Sequence, residues 1–263
     1  MNTPSLTTPP LLEVSHLRKC FGPREVLSDV SFQVHAGTIL SVLGRSGTGK
    51  SVLLKCIVGL LQADSGEVSY KSESLRHASQ MATLRRSASY VFQHNALFDS
   101  ATVFENVLLP LQARGTGSRQ EWDAQVREVL GRLELEEAAG RYPSELSGGM
   151  QKRLAVARAL VSKPELVFVD EPTAGLDPLR RNAVFEMISK LQRESHFTAV
   201  LVTHDVQEAL VVSSRILWLD AGRVRFDGLA SEFGASNDPE IRGFRDNIEA
   251  LKEALRTPVS IGS

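Results

Sequence analysis

Apolar residues along this chain fall into two rhythms, and the change from one to the other predicts its architecture. Between residues 11 and 34 they alternate with polar ones, which predicts antiparallel strands over 12–17 and 26–34, broken at the turn Phe21-Gly22-Pro23. Ile39–Leu43 is instead a continuous apolar run that feeds a glycine-rich loop, and the spacing over 50–60 then predicts a helix. A short strand over 66–70, a polar helical stretch over 76–86 and a strand over 88–92 follow. From 103 to about 160 the period is helical, clearest over 122–133, and so predicts an inserted helical subdomain. The α/β rhythm then returns, with buried parallel strands at Leu166–Asp170 and Thr198–Thr203 and a helix over 178–193 between them. A hairpin over 216–219 and 224–226 and a C-terminal helix over 239–255 complete the pattern.

This organisation predicts an α/β fold of the phosphate-binding-loop type: a mainly parallel sheet core, an antiparallel β subdomain and an inserted α-helical subdomain. The expected boundaries are a flexible tail over 1–10, one main α/β domain over 11–235 with its helical insert at about 95–162, and a helical extension over 236–263. With 263 residues and 42% hydrophobic content, the chain can bury a substantial core. Its formal net charge of −1 leaves no basic footprint of the kind nucleic-acid binding requires. Cys20 and Cys56 lack metal-ligand spacing, and both read as buried small hydrophobes in a reducing compartment. The first ten residues have neither the basic nor the apolar region of a signal peptide. No apolar run approaches the ~20 residues of a membrane span.

The chemistry concentrates at strand ends. The loop Gly44-Arg45-Ser46-Gly47-Thr48-Gly49-Lys50-Ser51 lies between a predicted strand and a predicted helix. Glycines there let backbone N–H groups curl around a phosphate at the positive end of the helix dipole. In such a loop Lys50 bridges the β- and γ-phosphates of a nucleoside triphosphate, and Ser51 ligates Mg²⁺. Asp170 and Glu171 end an apolar strand, where ligands bind in open α/β sheets. Asp170 is expected to hold the Mg²⁺ hydration shell and Glu171 to orient or deprotonate the attacking water. Ser147-Gly148-Gly149 opens the predicted helix at Gly148–Leu160 and supplies a second anion site.

The run Leu146-Ser147-Gly148-Gly149-Met150, taken with the glycine loop, resembles the ATP-binding cassette (ABC) subunits of membrane transporters over nearly the whole chain. That resemblance implies a head-to-tail dimer, in which one subunit's Ser147-Gly148-Gly149 caps the γ-phosphate held by the other's glycine loop. It implies that Gln93 contacts Mg²⁺ and water and signals to the permease, and that His204 contacts the γ-phosphate. Ala174-Gly175-Leu176-Asp177 matches the family's interface-crossing loop, and Asp177 also suits a helix N-cap. Phe21 stands where the family stacks an aromatic on adenine, with core packing as the lesser alternative. The remaining histidines, His16, His35, His77, His94 and His196, have no metal spacing and read as surface or loop residues.

Within the family, Phe92-Gln93-His94-Asn95-Ala96-Leu97-Phe98-Asp99-Ser100 and Val103-Phe104-Glu105-Asn106-Val107 look like the Mla phospholipid-transport ATPases. The tail from Asn237 to Phe244 does too. That closer resemblance implies a permease, an MCE-domain lipid-binding protein and a small STAS-type subunit as partners. It also implies a peripheral position on the cytoplasmic face of a bacterial inner membrane. ATPases of polar amino-acid and other small-solute importers are the alternative, since their segments after Gln93 read similarly.

Overall fold

The computed structural model describes residues 9–245. In chain order the elements are β1 (Leu12–Phe21), β2 (Arg24–Val34), β3 (Ile39–Leu43), α1 (Lys50–Ile57), β4 (Ser65–Tyr70), β5 (Glu73–Ser74) and α2 (Ala78–Ser87). Then come β6 (Ala88–Val91), α3 (Val103–Arg114), α4 (Arg119–Arg132), α5 (Gly148–Leu160) and β7 (Leu166–Asp170). The chain continues through α6 (Pro178–Ser195), β8 (Thr198–Thr203), α7 (Val206–Val212), β9 (Arg215–Asp220), β10 (Arg223–Leu229) and α8 (Ala230–Ala235). The tail expected over 1–10 and the extension over 236–263 fall largely outside the described residues. Of the predicted C-terminal helix, 239–245 are described and helical, held to β9 by the Phe244 ring stacked on Trp218 at 5.3 Å.

Four strands form an antiparallel sheet in the order β2-β1-β4-β5, and six form a second sheet in the order β10-β9-β3-β8-β7-β6. In the larger sheet β9, β3, β8, β7 and β6 run parallel, with β10 closing one edge antiparallel. β3, β7 and β8 are buried at every position, which is why they read as unbroken apolar runs. Their side chains alternate between two cores. From β7, Val167 and Val169 enter the core shared with α3, α5 and α6, whereas Leu166 and Phe168 face the one shared with α1 and the antiparallel sheet.

Parallel pairing has one consequence for function. The C-terminal ends of β3, β6, β7 and β8 emerge at the same edge of the sheet, so the loops after Leu43, Val91, Asp170 and Thr203 are neighbours there. Consecutive strands of the sequence lie on opposite sides of β3, which opens a crevice at that edge.

Several expectations are corrected in detail. β1 runs to Phe21 rather than stopping at 17, because a bulge at His16 resets its register. His16 has φ 53° opposite Asp29 at φ 62°, and the two side chains meet at 2.7 Å. Cys20 is exposed rather than buried: it lies on the β1–β2 ladder opposite Glu25, and its N–H donates to Asp64. Cys56 is buried as expected, and burial pushes its thiol up to about 11. The short helices α7 and α8 have no counterpart in the sequence reading.

Phe168 is fully buried at the centre of the α1-side core. Phe168→Ala is expected to lower unfolding stability by about 3–5 kcal/mol, read as a reduced urea midpoint with an unchanged slope.

Candidate active site

The loop after β3 turns on its glycines. Gly47 and Gly49 have φ of 79° and 101°, in the left-handed region that residues with a Cβ avoid. Gly44 is fixed by space instead, since a Cβ there would lie 2.4 Å from the Leu219 carbonyl oxygen of β9. α1 begins at Lys50, directly after Gly49, so its unpaired N–H groups face the loop interior. Arg45, Ser46 and Gly47 lie exposed on the outer curve, and Thr48 ties the loop by donating to the Arg45 carbonyl at 2.9 Å.

Lys50 is buried, yet its ammonium is well provided for. It donates to the carbonyls of Gly44 at 2.9 Å and Arg45 at 3.0 Å, and lies 3.6 Å from Glu171 Oε1. Burial pulls its pKa below the ordinary lysine value, and the Glu171 charge opposes that shift. Ser51 Oγ donates to Asp170 Oδ1 at 2.8 Å, and the Tyr90 hydroxyl donates to Asp170 Oδ2 at 3.1 Å. Burial, and then the Asp170 charge, raise the Tyr90 phenol, so it stays a donor.

Glu171 follows Asp170 directly but points elsewhere, because its backbone leaves the strand at φ 47°. Its N–H donates to the Val202 carbonyl, and its Oε2 meets His204 Nδ1 at 2.8 Å. That hydrogen bond raises the His204 pKa, with burial opposing it and the Glu171 charge assisting. The next residue, Asp205, caps α7 by accepting from the N–H groups of Gln207 and Glu208.

Lys50, Ser51, Asp170, Glu171 and His204 therefore form one contiguous set. Gln93 lies two residues beyond Val91, which pairs with Val169, so it sits beside the end of β7. Ser147 is separate. It caps α5 by accepting from the Met150 N–H at 3.3 Å, and with Gly148 it is exposed. Among the described residues, Ser147, Gly148 and Gly149 share no hydrogen bond with the 44–51 loop. They adjoin the 174–177 loop instead: a Cβ on Gly148 would lie 3.8 Å from Leu176. Asp177 is exposed and caps α6, accepting from the Arg180 N–H at 3.1 Å. Phe21 is 48% exposed at the end of β1, with Lys19 Nζ 5.4 Å from its ring centre. Exposure on that scale disfavours the core-packing explanation.

Four polar residues of this region were missed from the sequence. Tyr90 is one. Lys152, buried on α5, donates to the Gln93 carbonyl at 2.7 Å, and Arg158 on the same helix donates to the carbonyls of Asn95 and Ala96. Asn106 is fully buried and knits the next stretch, accepting from the Phe98 N–H and donating to the carbonyls of Phe98, Ala101 and Thr102. A signal existed for Lys152, because it shares a stripe with the buried Ala155, Val156 and Ala159 at helical spacing.

With this geometry in place, comparison with known proteins is decisive. The family model for ABC transporters matches residues 27–174. The chain belongs to the ABC transporter family.

As a member of that family it is an ATP-binding, ATP-hydrolysing transporter subunit. It is 41% identical over 254 residues to the sulfate/thiosulfate import ATP-binding protein CysA of Bradyrhizobium diazoefficiens, covering 95% of this chain and 71% of that protein. It is 39% identical over 220 residues to the glutamine transport ATP-binding protein GlnQ of Escherichia coli, covering 83% and 91% respectively. Its fold matches the ATP-binding cassette MJ0796, solved as a dimer in a post-hydrolysis state with ADP and phosphate. The TM-score is 0.74 at 32% identity, covering 83% of this chain and 98% of that one. CysA is named for sulfate/thiosulfate import and GlnQ for glutamine transport, and these names lend the phospholipid expectation, with its MCE and STAS partners, no support.

A prediction about protonation follows from the Glu171–His204 contact. A raised folded-state pKa means the His204 contribution to stability is fully present below about 6.5 and fades as pH rises through the raised value. In an NMR titration the His204 midpoint is expected above that of a free histidine and should fall in Glu171→Gln. An unchanged midpoint in that variant would detach the shift from Glu171.

Proposed function

We propose that this chain is the energy-coupling ATPase of a small-solute importer, hydrolysing ATP in a site completed by a second copy of itself. The observation that carries the hydrolytic part is the contiguous set Lys50, Ser51, Asp170, Glu171 and His204 at one sheet edge. The importer part rests on relatives such as CysA and GlnQ, the second aligned over 91% of its own length.

On this reading the Gly44–Ser51 loop binds the triphosphate through its backbone N–H groups, with the Lys50 ammonium on the β- and γ-oxygens. The residues present suit Mg²⁺, because Ser51 and Asp170 offer an all-oxygen donor set converging within 2.8 Å, with Gln93 beside it. When bound there, Mg²⁺ neutralises charge on the β- and γ-phosphates. Glu171 positions a water on the γ-phosphorus and accepts its proton as the new P–O bond forms and the bond to the bridging oxygen breaks. His204 donates to a γ-oxygen, and its Glu171 hydrogen bond favours the protonated donor form. Phe21 stacks on the adenine.

Ser147, Gly148 and Gly149 serve the partner copy's γ-phosphate, and Asp177 lies at the same interface. Their exposure and their separation from the chain's own glycine loop support that assignment. No helix among the described residues is long and apolar enough to cross a membrane. On this reading a permease attaches the chain to its membrane. The segment after Gln93 receives that permease.

Phospholipid transport, with MCE-domain and STAS-type partners at a bacterial inner membrane, is the second reading. It rests on residues 92–107 and the tail from Asn237 to Phe244.

Glu171→Gln is expected to retain ATP binding and lose ~10²–10⁴-fold in hydrolysis, equivalent to ~3–5 kcal/mol of barrier. Near-normal turnover would remove Glu171 from its role. For the cargo, the tagged complex is extracted in mild detergent and its proteins and lipids identified by mass spectrometry. A permease without enriched lipid is expected. An MCE-domain protein with bound phospholipid would replace importer by lipid transporter, and recovery without any membrane protein would overturn both.

A further inference from the structure

The Asp170 carboxylate is almost entirely buried, and its two oxygens are held by different elements. Ser51 on α1 takes Oδ1 at 2.8 Å, and Tyr90 on β6 takes Oδ2 at 3.1 Å. Nothing in the glycine-loop or signature motifs calls for a tyrosine at that place. The sheet puts it there: Tyr90 pairs with Phe168 in parallel register, so both share a face with Asp170, two residues further along β7. The Tyr90 ring is fixed in turn. Phe92, two residues on, lies 4.3 Å from it between centroids, and Phe168 lies 6.3 Å away.

An aspartate carboxylate turns easily about χ2, because that terminal torsion has no sharp staggered wells. A rigid donor on one oxygen removes that freedom and decides which oxygen faces α1. The Tyr90 phenol is such a donor, and its place on the side of the carboxylate away from Ser51 leaves Oδ1 to the loop. Replacing it with phenylalanine would leave Oδ2 against aromatic carbon, without a partner and free to turn.

We propose that Tyr90 is a positioning residue for the divalent cation: its hydroxyl pins Asp170 Oδ2 so that Oδ1 and the Ser51 oxygen face the cation together. This rests on the reading of Ser51 and Asp170 as the Mg²⁺ site given above. Residues that orient a metal-binding carboxylate typically alter metal affinity by about 10–100-fold when removed.

The test measures Mn²⁺ binding by electron paramagnetic resonance on the full chain loaded with ADP, for wild type, Tyr90→Phe, Tyr90→Leu and Asp170→Asn. ADP affinity is measured separately in EDTA. Both Tyr90 variants are expected to bind Mn²⁺ roughly tenfold more weakly while keeping wild-type ADP affinity without metal. In ATPase assays Tyr90→Phe should raise the Mg²⁺ concentration for half-maximal rate more than it lowers kcat. Wild-type Mn²⁺ affinity in Tyr90→Phe would overturn the proposal, as would a matching loss of metal-free ADP affinity, which marks a packing role. Graded losses in which leucine is far worse than phenylalanine would overturn it as well. If Asp170→Asn binds Mn²⁺ as wild type does, the cation site itself is wrong. Failure of Tyr90→Phe alone leaves that site standing.

Discussion

Two carboxylates in consecutive positions, both almost wholly out of water, set the constraint on which this site depends. Asp170 and Glu171 are 4% and 8% exposed at the end of one strand. Left together without partners, such charges would repel each other and carry a heavy desolvation cost. The structure separates them by backbone geometry: Asp170 keeps the strand conformation and faces α1, while Glu171 turns away at φ 47°. Each then meets its own donors, Ser51 and Tyr90 for the first, Lys50 and His204 for the second. Those donors come from three segments, the loop after β3 that opens α1, β6, and the end of β8, and parallel pairing of these strands with β7 brings them to the edge where the two carboxylates stand.

The same constraint explains what burial does to Lys50. A lysine out of water would lose its proton readily, but here two loop carbonyls and the Glu171 carboxylate surround it. The cation and the carboxylate that sits 3.6 Å away justify each other's burial. Either one alone would be the more costly arrangement.

Much of this was legible in the sequence, for identifiable reasons. β3, β7 and β8 match the expected bounds residue for residue, because strands buried on both faces leave unbroken apolar runs. The glycine loop was legible because positive φ and close approach demand glycine wherever they occur. α7 was not, since seven residues cannot display a helical period and its start depends on a buried cap at Asp205. Cys20 was misjudged because β1 carries a bulge that changes which residues face inward. The partners of Tyr90, Lys152 and Arg158 were not legible, for a different reason. They are carbonyls or a carboxylate 59 to 80 residues away, and no local pattern encodes such pairings.

Those long-range contacts also tie the two ends of the proposed mechanism together. α5 carries Ser147 at its N-terminus, and through Lys152 and Arg158 it holds the carbonyls of Gln93, Asn95 and Ala96. Asn95 and Ala96 have φ of 62° and 49°, so that segment is a strained turn that depends on its anchors. Hydrogen bonds from charged donors contribute about 1.5–3 kcal/mol each. Three of them make it costly for α5 to shift while the 93–96 turn stays in place. In a head-to-tail pair, a movement that brings Ser147 against the partner's nucleotide must therefore carry Gln93 with it, at the chain's own site. On the proposed reading, the helix that completes one site is in this way mechanically joined to the residue that faces the other.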